Sequence, residues 1–168
     1  PLTLCAGRAR PHPMARAFYM NDAWNVAEDP IHNLWDAVDQ VHFDLGMVKG
    51  APNLHAGVGP AVAFAQEMYQ RTGVPQGVIA SGHGGTSMEQ WSPTLNTASG
   101  STLYNATIRR ARKNGGRVAG MIWYQGESDA TVERESLYTD RMKQLVSASR
   151  KDLKDPRMPW AIVQIGRV

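Results

Sequence analysis

Four stretches of the chain are apolar and short enough to predict strands: Ala17–Met20, Gly77–Ala80, Val118–Tyr124 and Trp160–Ile165. The last three are near-continuous apolar runs, the pattern expected of parallel strands covered on both faces. Segments with helical spacing separate them. Val62 to Arg71 sets Val62, Ala65, Met68 and Tyr69 on one stripe. Thr102 to Lys113 turns Leu103, Ala106 and Ile108 inward and its arginines outward. Leu137 to Leu153 sets Leu137, Met142, Leu145 and Val146 against Arg141, Lys143 and Lys151. Strand–helix alternation predicts an α/β protein, a three-layer α/β/α sandwich on a parallel sheet, in a single domain. Residues 21–59 break the pattern with Trp24, Trp35, His32, His42, His55 and several glycines and prolines. A connection this long predicts a partly helical excursion that walls a cleft.

Composition narrows the classes of function. At 168 residues, 42% hydrophobic and 20% charged, the chain has the make-up of an ordinary globular domain. Its net charge of +3 is mild, and the one basic cluster, Arg109, Arg110, Arg112 and Lys113, reads as a solvated helix face. No nucleic-acid partner is expected. Cys5 is the only cysteine, which excludes a disulfide framework and a cysteine-based metal site. No apolar run approaches the ~20 residues that span a bilayer, so no membrane partner is expected. The chain begins Pro1-Leu2-Thr3, and its natural start is expected to be missing. Compartment is left open, with secretion or the periplasm compatible, and oligomeric state is not legible.

Candidate chemistry sits at two strand exits, where open α/β sheets bind ligands. The second predicted strand runs into Ser81-Gly82-His83-Gly84-Gly85-Thr86-Ser87-Met88-Glu89-Gln90-Trp91. Its glycines allow positive φ and close approach of a ligand, and successive N–H groups there can form an anion nest or half of an oxyanion hole. The third runs into Trp123-Tyr124-Gln125-Gly126-Glu127-Ser128-Asp129, with an amide, two carboxylates and a hydroxyl within five residues.

Together these two runs resemble the sialate O-acetylesterase and acetylxylan esterase family, carbohydrate esterase family six within the SGNH-type hydrolases. The resemblance extends through Gly57–Ala65 and the Trp24…Asp29-Pro30 stretch. It implies a flavodoxin-like α/β/α sandwich and a serine esterase that removes acetyl groups from sugars, with neither metal nor cofactor. It also implies oxyanion donors at the backbone of Gly84 or Gly85 and at the side-chain amide of Gln125. His83, Thr86, Trp91, Glu127 and Ser128 are then the residues expected to meet an acetylated carbohydrate. Glu127 is expected to be a buried carboxylate that orients its own loop through backbone N–H groups, and His83 a loop histidine bonded to backbone. Trp91 and Trp24 are weighed as sugar platforms against ordinary packing.

A serine esterase also needs a nucleophile and an oriented base. The family's Gly-Gln-Ser-Asn turn does not occur, and alignment through Ala6–Ala9 sets Thr3 at the serine position among unmatched neighbours. The family's Asp-x-x-His pair belongs after the last strand, whereas here that spacing occurs only at Asp29/His32 and Asp39/His42, far upstream. Ser87 and Ser128 have no evident partner base. The expectation is an acetylesterase domain lacking both ends. The alternative is a non-catalytic carbohydrate-binding module that keeps the cleft and loops without the triad.

Overall fold

The computed structural model describes residues 10–51 and 57–165. Thr3, Cys5 and His55 lie outside the described residues. The chain forms two compact units, one built from the chain up to Val38 with Gly46–Gly82, the other from Asp39–Leu45 with His83 onward.

The first unit carries a three-stranded sheet in the order β2-β1-β3, from β1 (Ala15–Phe18), β2 (Trp24–Val26) and β3 (Gln76–Ile79). β1 and β3 run parallel, with Ala17 opposite Val78 and Phe18 opposite Ile79. β2 pairs antiparallel on the other side, Phe18 opposite Trp24. This edge strand was not expected, because Trp-Asn-Val is too short to show a period. The Trp24 ring lies 5.5 Å from Phe18, and a Cβ on Gly77 would stand 3.0 Å from its Cη2, so the indole uses glycine as its seat. The ring is nevertheless 48% exposed. A three-residue 3₁₀ turn, Leu34–Asp36, follows. Helix α2 (Pro60–Thr72) starts with proline in its first turn and ends on Gly73 at φ +68°, whose N–H donates to Tyr69 O at 2.8 Å. Val62 and Ala65 are buried, as the stripe predicts.

The second unit opens with the single-turn helix α1 (Val41–Asp44). It continues with α3 (Leu103–Lys113), β4 (Met121–Trp123), α4 (Val132–Asp152) and β5 (Trp160–Ile162). β4 and β5 are parallel, Ile122 opposite Ala161. β4 starts three residues later than expected because Gly120 passes against Pro159, where a Cβ would stand 3.1 Å from the carbonyl oxygen. α4 starts five residues earlier than expected: Glu133 and Glu135 suit the positive end of the helix, and Arg150 and Lys151 the other end. Leu137 is exposed, unlike Met142 and Leu145. The core of this unit is built on Met88, Trp91, Leu103, Ile108, Trp123 and Met158, with Trp91 and Trp123 edge to face at 5.1 Å.

The fold is mixed α/β, as expected, with two small sheets. Two narrower expectations are corrected. β5 is not covered on both faces, since Ala161 and Ile162 are exposed. The arginines of α3 do not all face water. Arg110 is 0% exposed, and Arg109 grips buried Asp39 through Nε at 2.6 Å and an Nη at 2.9 Å. Asp39 supplies the counter-charge that allows a cation inside, and Arg110 lies 3.8 Å from the same carboxylate.

Candidate active site

The loop after β3 holds its shape through a few bonds. Thr86 is buried, its hydroxyl donating to His83 O at 2.7 Å and accepting from Trp91 Nε1 at 2.9 Å. Between these anchors lie Gly84 and Gly85, both exposed, with Gly85 at φ +71° in the left-handed region. Among the described residues, no acceptor is paired with the backbone N–H of Gly84, Gly85 or Thr86. The next two N–H groups are spent: Ser87 on Gln90 Oε1 at 2.9 Å, and Met88 on Asp129 Oδ2 at 2.8 Å.

The loop after β4 reaches across to this segment. Gln125 Nε2 donates to Thr86 O at 2.9 Å and to Asp129 Oδ2 at 2.6 Å. Two acceptors on one side fix which way the amide points, because a flipped amide would set its oxygen against both. Asp129, 2% exposed, is therefore the hub that joins the two loops. The Gln125 backbone is held separately: Trp123 Nε1 donates to Tyr138 Oη at 3.2 Å, which donates to Gln125 O at 3.0 Å. Burial raises the Tyr138 pKa and keeps that donor protonated. Gly126 cannot be replaced without movement, since a Cβ there would stand 2.8 Å from Ile165 Cδ1.

The other expected site residues separate in their roles. Trp91 is 5% exposed and edge-on to Trp123, so it is the floor of the loop and not a sugar platform. Thr86 likewise spends its hydroxyl inside the loop. Glu127 bonds its neighbour's N–H, Gly126 N to Oε2 at 3.0 Å, as expected, but from an exposed position rather than a buried one. The Ser128 carbonyl is held by Arg134 at 2.7 Å. Ser87 is buried with its hydroxyl 3.4 Å from Gln90 Oε1. His83 is bonded to a side chain, not to backbone as expected: its Nδ1 lies 2.9 Å from His42 Nδ1. The Asp39/His42 spacing does not make a base dyad, because the Asp39 carboxylate is taken by the arginines of α3. In the first unit, Asp29 Oδ1 accepts from Gly59 N at 3.3 Å, and His32 packs 3.2 Å from the place of a Gly82 Cβ. Among the described residues no hydrogen bond joins a serine hydroxyl to a histidine ring. A concavity of 810 Å³ runs along α4 and β5 past Met142, Val146, Arg150 and Ile162, and neither strand-exit loop lines it.

The site residues missed from sequence are Asp129 and His42. Asp129 had a signal, lying four residues beyond Gln125 in the same motif. His42 stands out only by its spacing from Asp39, which points to a different partner.

A loop of unpaired backbone donors, braced by an amide and a carboxylate from a second loop that also follows a strand, suits a hydrolase that stabilises a negatively charged intermediate. The family model for carbohydrate esterases, sialic acid-specific acetylesterase, matches residues 3–168, and the chain belongs to that family. It is 32% identical over 149 residues to a "Probable carbohydrate esterase" of Arabidopsis thaliana, covering 84% of this chain and 48% of that protein. A solved structure of an Arabidopsis thaliana protein superposes with a TM-score of 0.70 at 28% identity, over 93% of this chain and 58% of that one. A carbohydrate acetylesterase from Xanthomonas citri shares the fold, with a TM-score of 0.59 at 22% identity over 91% of this chain and 34% of that one. The chain thus spans about half the length of the curated relative it matches, 48%. Among the described residues no helix is long and apolar enough to cross a membrane.

Proposed function

We propose that the chain carries the oxyanion-stabilising part of a serine-type carbohydrate O-acetylesterase. The substrate is an acetyl ester on a sugar, of the acetylxylan or sialic acid kind, within a three-layer α/β/α domain. The observation that carries this reading is the run of unpaired N–H groups at Gly84, Gly85 and Thr86 in a member of a carbohydrate esterase family. Attack on an acetyl carbonyl moves charge onto its oxygen. Donors already oriented and free of other partners stabilise that charge without reorganising. Gly84 and Gly85 are the backbone donors in this reading. Gln125 holds them in place through Thr86 O and Asp129, and joins them as a third donor only by giving up one of those bonds. The serine and the Asp/His base that acyl transfer requires are assigned to none of the described residues.

The test is acetate release from 4-nitrophenyl acetate, acetylated xylan and O-acetylated sialic acid, by this chain and by its full open reading frame. Hydrolysis by the full reading frame is expected, with Gln125→Ala lowering kcat by about 100-fold. Oligosaccharide binding without hydrolysis in the full reading frame would replace this reading with a binding module.

A further inference from the structure

The bond between His42 and His83 has no place in the chemistry above. His42 is 1% exposed on α1, and His83 is the half-buried first anchor of the donor loop. Their Nδ1 atoms are 2.9 Å apart, their ring centroids 5.1 Å apart and their planes 13° apart. The centroid separation matches the N···N distance plus one ring radius at each end. The imidazoles therefore lie end to end in nearly one plane, joined by an N–H···N bond, and not face to face. Such a bond holds one proton between two lone pairs, so the rings take complementary tautomers. Protonation of both rings to imidazolium puts a hydrogen on each Nδ1, removes the acceptor and sets two positive charges head to head.

The His83 carbonyl is tied to the Thr86 hydroxyl, so its ring and its backbone together fix the start of the Gly84–Gly85 segment. We propose that His42 is a positioning residue that anchors His83 through this shared proton. The donor loop is thereby held at neutral pH and released on acidification.

The charged groups on the surrounding elements are already engaged. Asp39, before α1, is neutralised by Arg109 and Arg110 of α3. Asp44, at the end of α1, accepts from Ser99 and Gln40, and those bonds lower its pKa. Glu89 of the loop lies 3.9 Å from Arg141 of α4. Asp129 of the second loop bonds Met88 N and Gln125. Burial lowers the His83 pKa from its ordinary 6.5, which favours the single-proton state. For a depressed histidine the anchoring is complete above 6.5 and is lost as pH falls through the lowered folded value.

The test is NMR on chain labelled with ¹⁵N. The expected results are a ¹⁵N–¹⁵N coupling between the two Nδ1 atoms at neutral pH and its loss on acidification. The amide signals of Gly84, Gly85 and Thr86 should move in the same transition, below the ordinary histidine range. His42→Asn, whose side chain can still bond at the Nδ1 position but cannot take a proton, should keep the neutral amide positions and abolish the acid transition. His42→Ala should move those signals at neutral pH. The inference is overturned if no coupling is seen, if His83 titrates at its ordinary value, or if His42→Asn retains the acid transition. Should the variants not fold, the wild-type coupling and titration decide alone.

Discussion

The two strand-exit loops use opposite means to build one site. The loop after β3 offers backbone: Gly84 and Gly85 present N–H groups that no described acceptor takes. The loop after β4 is richer in polar side chains, yet most of them are spent. Gln125 bonds Thr86 O and Asp129, Asp129 also accepts from Met88 N, and Glu127 bonds Gly126 N. A dense cluster of polar side chains is therefore a brace here, and under the proposed function the plain glycine segment is the working surface. Donors that bind a transient charge must have no competing partner, whereas the groups that hold them must have several.

That contrast can be broken in graded steps, each read by urea unfolding. The largest effect is expected at Trp91→Ala, which removes the floor of the first loop and the edge-to-face contact with Trp123. A buried aromatic of this size should cost about 3–5 kcal/mol. Asp129→Ala leaves the Met88 N–H and one Gln125 N–H without an acceptor in a buried place, at about 2–3 kcal/mol. A loss of this size at Asp129 with little change at Glu127 sharpens the comparison. Equal losses would dissolve it. Gly85→Ala forces a side chain into φ +71° and should cost about 1 kcal/mol while moving the donors themselves. Glu127→Ala removes one exposed bond and should stay within about 0.5 kcal/mol.

Much of this arrangement was legible along the chain, and the failures have physical causes. Apolar runs located β3, β4 and β5, and helical spacing located α2 and α3, because burial imposes those periods. The early start of α4 escaped notice because its first turns are exposed and charged, so no apolar stripe marks them. Arg110 was placed in water by composition. Its burial depends on Asp39, 71 positions earlier, and no local pattern carries such a partner. At the site, the glycines and Gln125 stood out by type, whereas the head-on bond from His42 to His83 joins residues 41 positions apart. Pairings of that kind arise from the fold and leave no trace in periodicity.

The most direct test follows the backbone amides of the chain by ¹⁵N NMR during titration with methylphosphonate, a tetrahedral anion carrying an acetyl-sized methyl group. The account predicts that Gly84, Gly85 and Thr86 shift together and saturably, and that Asp129→Ala weakens the response. Shifts confined to surface lysines and arginines, with those three amides unmoved, would contradict it.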